Sequence, residues 1–288
     1  MRVHFFTVHV HNSNTGFSEL VEHIGSRELK KREATIGQNP VRLERLRVKR
    51  DKFLGMEFTQ RRMRNGAGLS RPGFAVEDLP LRPKEGLAES TAAVWSPQGL
   101  LAVQYNHRGL RATGVRAYLE HFLRRHGTSG NSFAEVELRH VLDEDVLAKI
   151  MRSGQHTRLE CLIDASKIPD SAASHDVALS AALDLHRKTL AHRVQVSAYL
   201  GEGKRGGSLR GIRDLVSGLL EHRGSLFSLR VTTRNEFGKV TDALDLLEQR
   251  KVVTVPDSEL EISDGRRFTI RSRLRALANE IRRYADGA

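Results

Sequence analysis

The first apolar pattern in the chain, "RVHFFTVHVH" at residues 2–11, sets Val3 and Phe5 on one side of a two-residue period. Phe6, Val8 and Val10 fall on the other side. Apolar groups on both sides predict a central strand, since a strand with one face in water alternates strictly. A short helix is predicted from Phe17 to Ile24, ended by Gly25 as a left-handed cap. Strand-like pieces follow in "RLRVKR" and "FLGMEFTQRRM". After them come "RNGAGLSRPG", a run of turn residues, and a Pro- and acid-rich connection over 76–90. "TAAVW", "SPQG" and "LLAVQY" read as a hairpin, with Pro97 and Gly99 where a type I turn favours them. A helix over 114–126 comes next. It has Val115, Tyr118, Leu119 and Phe122 at helical spacing, Thr113 before it and Gly127 after it as caps.

From residue 134 the pattern alternates. Strands are predicted over 134–139, 158–163, 194–200, 226–233 and 251–255. Helices are predicted over 144–152, 174–191, 208–222 and 240–250. A last helix over 271–284 carries Leu274, Leu277, Ile281 and Tyr284 on one face. This alternation predicts an α/β layer with crossover connections and helices on one or both faces. The turn-rich "TSGNS" at 128–132 is the expected boundary. The fold class is therefore mixed α/β, or α+β: a β-rich basic domain over 1–130 and an alternating α/β domain over 131–288.

Composition narrows the partner class. The chain has 288 residues, 39% hydrophobic and 28% charged, ordinary for a globular protein of one large or two modest domains. No apolar run approaches the roughly 20 residues that span a bilayer, and the N-terminus lacks a signal-peptide pattern. No membrane insertion and a cytoplasmic location are expected. The single cysteine, Cys161 in "RLECLID", is expected to be buried and inert. One cysteine makes neither an internal disulfide nor a zinc cluster. The formal net charge is +12, and residues 42–71 hold ten Lys or Arg against three acids. That excess points to a polyanionic partner, nucleic acid before an anionic membrane. An aromatic content of 6% disfavours a stacking groove for single strands.

Four stretches carry candidate chemistry. In "SAYLGEGKRGGSLRG", Gly201, Gly203 and Gly206 spell G-x-G-x-x-G between a strand and a helix N-capped by Ser208. The acid that would hold a ribose and the G-K-[ST] of a P-loop are both missing. Lys204, Arg205, Arg210 and Arg213 surround a helix N-terminus that prefers anions, which suits a backbone phosphate. In "QYNHRGLRATGVR", Tyr105, Asn106, His107, Arg108 and Arg111 read equally as contacts to nucleic acid or as a turn built on Asn106 and Gly109. His9 and His11, with His4 nearby, lack the third ligand a metal needs, so no metal site is expected. In "ECLIDASK", Glu160, Asp164 and Lys167 offer the parts of a Mg²⁺-dependent nuclease, although Lys167 lies beyond the strand, away from the usual acid-x-Lys order. Glu135 and Glu137 read as a solvated face. There is no G-x-S-x-G or H-E-x-x-H.

The hairpin with "LLAVQYNHRG" and its basic helix resembles an uncharacterised bacterial family found on mobile elements and near phage-defence genes. "VLDEDVLAKIMRSGQHTRLECLID" has the same character. More loosely, the chain is similar to the DNA-binding subunit of the Kiwa anti-phage system. The resemblance implies a bacterial defence context with nucleic acid as partner, and it assigns no residue. The expected function is sequence-tolerant binding of nucleic acid, DNA foremost, without catalysis or cofactor. Arg45, Arg47, Lys49, Arg50, Arg61, Arg62 and Arg64 would contact phosphates, with Lys204 and Arg205 as a second anchor and Arg108, Arg111, Arg210 and Arg213 in support. The alternatives are the nuclease and a protein-interaction module, an inhibitor or sensor that binds an acidic protein.

Overall fold

A computed structural model describes residues 1–49, 51–62, 85–125, 133–143, 155–168, 177–200, 211–222, 225–234, 243–264 and 267–286, with a few single residues between them. In chain order the first elements are β1 (Arg2–His11), α1 (Phe17–Ser26), β2 (Glu33–Ile36), β3 (Asn39–Val48), β4 (Leu54–Arg62), β5 (Leu87–Trp95), β6 (Leu100–Gln104), α2 (Ala112–Leu123) and β7 (Glu135–His140). They are followed by β8 (Gln155–Asp164), α3 (Val177–Thr189), β9 (Arg193–Tyr199), α4 (Ile212–Glu221), β10 (Leu226–Arg234), β11 (Leu244–Asp245), β12 (Val252–Thr254) and α5 (Ile270–Asp286). The fold is mixed α+β, as the pattern of the sequence predicts. Among the described residues no helix is long and apolar enough to cross a membrane.

The chain forms two compact units, Met1–Val141 with Lys251–Ala288, and Leu142–Arg250. This differs from the expected split at 130. The reason is that β7 pairs with β1 over Phe6–His11, while β12 pairs with Arg2–His4 of the same strand. The last helix also packs on β5 and β6. The C-terminal residues thus return to the N-terminal sheet, and the second unit is an insertion in the first.

In the split unit, eight antiparallel strands run β12-β1-β6-β5-β4-β3-β2, with β7 on β1. Both faces are covered. Phe6, Leu101, Val103, Met56 and Phe58 meet α1 and α2 on one side, while Val3, Phe5, Ala92, Val94, Leu100 and Ala102 meet α5 on the other. Consecutive apolar residues in β1, β5 and β6 are the cause, so the central-strand expectation for residues 2–11 holds. The β5–β6 hairpin closes as expected. Gly99 N–H donates to Ser96 O at 2.9 Å, and the φ of 84° at Gly99 is one that only glycine takes without strain.

Several local boundaries differ: β5 starts at Leu87, inside the connection predicted over 76–90, and α4 starts at Ile212 with Gly211, not Ser208, as its N-cap. Gly25 is not a left-handed cap but lies inside α1, which runs to Ser26. Its missing side chain makes room for Leu46. The N-cap of α2 is Arg111 rather than Thr113, and the helix ends at Leu123.

In the inserted unit the strand order is β11-β10-β8-β9, and every pairing is antiparallel. The expected crossovers exist, but β9 and β10 run parallel with β8 between them, so no parallel neighbours arise. The helices α3 and α4 and β8's Leu159, Cys161 and Ile163 form the core, and Cys161 is buried as expected. The helix predicted over 240–250 is instead β11 and a single 3₁₀ turn, because Asp245 accepts from Leu247 N–H at 3.0 Å and Leu229 N–H at 3.2 Å. The linker at 128–132 and most of the helix predicted over 144–152 lie outside the described residues.

Candidate functional site

The basic region is built on β3. Strand β2 covers only residues 39–42 of it. At Leu43 the uncovered edge is closed by side chains. Leu43 N–H donates to Tyr118 Oη at 3.0 Å, and that hydroxyl donates to Arg32 O at 2.6 Å. Burial raises the Tyr118 pKa, which keeps the phenol protonated and able to donate. Past Leu43 the register shifts, with Glu44 as the extra residue. From there Arg45, Arg47 and Lys49 fall on one side at a two-residue period, all exposed.

Their charge is not balanced locally. Glu57, opposite Arg45, is mostly buried and accepts from Arg273 at 3.0 Å, while Arg45 reaches its other oxygen at only 3.6 Å. Burial lowers the Arg273 pKa, and Glu57 opposes that shift. One carboxylate therefore serves two guanidiniums. Among the described residues, Arg47 and Lys49 have no carboxylate partner. Asp51, close in sequence, is engaged by Arg282 at 2.6 Å. Successive cations of the row stand about 6.8 Å apart, twice the ~3.4 Å axial rise per phosphate of one DNA strand.

The other expected contacts are distributed differently. Arg61 is paired with Glu33 at 3.1 Å and Arg62 with Glu89 at 3.6 Å, which takes them out of the surplus. Arg50, Arg64, Lys204, Arg205 and Arg210 lie outside the described residues, as does Ser208. The flanks of the glycine loop are described: Leu200 N–H donates to Thr157 O at 3.0 Å and Leu209 N–H to His156 O at 2.9 Å. Arg213 is exposed in the first turn of α4, beside an acid, Asp214. That acid supplies the favourable charge expected from an external anion.

After the hairpin, both readings find a residue. Asn106 makes the turn, donating to Ser90 O at 3.1 Å and accepting from Arg108 N–H at 3.1 Å. Tyr105 stays at the surface, stacked on His4 with ring centroids 5.2 Å apart and with the Arg111 guanidinium 6.0 Å from its centroid. Arg108 is exposed.

The metal and nuclease candidates do not converge. Among the described residues no group of three or more His, Cys, Asp or Glu is placed to hold a metal ion. His9 and His11 stack on one another, and His11 bonds Glu137 at 2.9 Å. Burial opposes ionisation of Glu137, but the bonds from Arg139 and His11 outweigh it and hold its pKa at about 2. Glu137 is thus a paired group rather than a solvated one. Glu160 and Asp164 share a face of β8 but sit four residues, about 13 Å, apart, too far for one Mg²⁺ with ligands at about 2.1 Å. Glu160 is held by Arg158 at 2.8 Å, and Asp164 lies 3.7 Å from Lys167.

Sequence reading missed the exposed rings of the inserted unit, Tyr199 and Phe227, on a sheet face that carries Arg158, Arg193 and Arg230. The strict alternation of "RVQVSAY" was the available signal. Comparison with curated proteins finds no match. Residues 9–279 match the family model DUF6731, described as a family of unknown function. As that span takes in nearly all of both units, the chain belongs to this family.

Proposed function

We propose that the protein binds nucleic acid through its phosphate backbone, without reading sequence. The observation that carries this reading is the exposed row of Arg45 and Arg47 on β3 and Lys49 just past its end, where the buried carboxylate of Glu57 already serves Arg273. The overall charge of +12 adds long-range attraction for a polyanion. Cations repeated at about twice the rise per phosphate position a duplex by its backbone without contacting base edges. The defence setting implied by the sequence resemblance is consistent with a partner of this kind.

The test is binding of a labelled DNA duplex across a salt series. Each phosphate contact releases a counterion, so affinity should fall steeply with salt. Replacing Arg45, Arg47 and Lys49 together by alanine should lower the slope of log K against log salt by about 3, alike for unrelated duplex sequences. A flat salt dependence, or a slope the triple variant leaves unchanged, would sink the reading. The cations would then serve only to block strand addition at an open edge.

A further inference from the structure

The inserted unit has a sheet with one face under α3 and α4, while among the described residues no helix covers the other, bare face. Along β9, Val194, Val196 and Ala198 enter the core while Arg193, Gln195, Ser197 and Tyr199 point away from it. On this bare face Tyr199 is 71% exposed and lies directly opposite Arg158 of β8. At the far end of β9, about 20 Å away by strand rise, the Arg193 guanidinium sits 4.8 Å from the ring centroid of Phe227. Phe227, 46% exposed, is the residue at which the β10–β8 register shifts, so the bulge turns its ring out instead of into the core.

The charges on the face leave room for an anion. Glu160 is matched by Arg158 at 2.8 Å, Asp245 by Arg230 at 3.7 Å and Asp164 by Lys167 at 3.7 Å. Arg193 alone of these cations has no carboxylate partner among the described residues, and it lies on a ring. Between the two ringed ends the β9 positions are Gln195 and Ser197, small polar groups that donate and accept hydrogen bonds. Among the described residues this face has no continuous apolar patch of the kind a second protein copy would cover.

We infer that this face is a platform for single-stranded nucleic acid, with one base stacked on Tyr199 and another on the Phe227–Arg193 pair. Exposed rings beside guanidiniums on an open antiparallel sheet suit unpaired bases, whose π-faces are free. A duplex keeps those faces stacked inside. The low overall aromatic content is no obstacle, because two rings on one face suffice. The inference rests on the proposed nucleic-acid function but places a different strand state on a different unit.

The experiment measures fluorescence anisotropy of the whole chain with labelled oligothymidine and with a duplex of equal length. Tyr199→Ala should weaken oligothymidine binding on the order of tenfold. Adding Phe227→Ala should weaken it by a similar factor again, while duplex affinity stays unchanged. Tyr199→Phe keeps the ring and should bind as the parent does. If the double variant binds oligothymidine like the parent, or Tyr199→Phe loses as much as Tyr199→Ala, the platform is wrong. A parent chain that binds duplex with a steep salt slope but oligothymidine no tighter than the double variant does overturns the platform alone. Failure to bind either probe overturns both readings.

Discussion

The two units solve the same packing problem in opposite ways. The split unit buries its sheet on both faces, so Phe5 and Phe6, neighbours in sequence, each enter a different core. The inserted unit buries one face, and from Arg158 to Asp164 β8 alternates residue by residue between core and surface. In a sheet covered on both faces, exposed charge gathers toward an edge, as Arg45 and Arg47 do on β3. A sheet covered on one face keeps a ready surface, where Tyr199 and Phe227 stand. The difference teaches where to look for binding groups in each architecture.

The sharpest way to break the comparison is to delete side chains at matched sheet positions. Leu101→Ala, fully buried between two layers, should cost about 2–5 kcal/mol in denaturant unfolding. Leu162→Ala on the bare face should cost no more than about 0.5 kcal/mol. Equal losses at the two sites would mean that the face of the inserted unit is not bare. The buried pair under the β3 edge comes next. Arg273→Ala leaves Glu57 buried without its main partner and should cost about 3 kcal/mol or more. Arg273→Met with Glu57→Leu should recover most of that loss in a double-mutant cycle, and no recovery would mean that the pair is not coupled. The smallest effect concerns acid. The Glu137 pKa is held at about 2 against an ordinary 4.5, so its contribution is present above pH 4.5 and lost as pH falls toward 2. Glu137→Gln should flatten the stability profile in that window by about 1 kcal/mol or less, because the pair is partly exposed. An unchanged profile would show that the pairing does not persist in solution.

Much of this was legible in the sequence where a pattern has one physical meaning. Apolar groups on both sides of residues 2–11 could only be a strand between two layers, and the SPQG turn fixed the hairpin. The stripe Leu274, Leu277, Ile281 marked α5. What was not legible depended on partners far along the chain. Alternating strands and helices do not reveal that β8 separates β9 from β10, and nothing in residues 251–288 alone tells that they close the first sheet. Gly25 looked like a helix stop because glycine tolerates a left-handed backbone. Its actual use, space for Leu46, needs a contact 21 residues away. For the site, the richness of residues 42–71 in cations was visible, but which of them are neutralised was not. That depended on Glu33 and Glu89, placed opposite Arg61 and Arg62 by folding. The rings were overlooked because a count of aromatics says nothing about whether they share a face.

The insertion also governs the order in which the chain can fold as it is made. Val141 and Lys251 are joined by a backbone hydrogen bond of 2.8 Å, and the apolar face of Val3, Phe5, Ala92 and Val94 is completed only by residues that follow Lys251. On a ribosome adding about 5–20 residues each second, that face waits on the order of ten seconds for its helix, while the whole inserted unit is made first. The nascent chain therefore carries a half-covered sheet, a natural client for chaperones, until its last helix arrives.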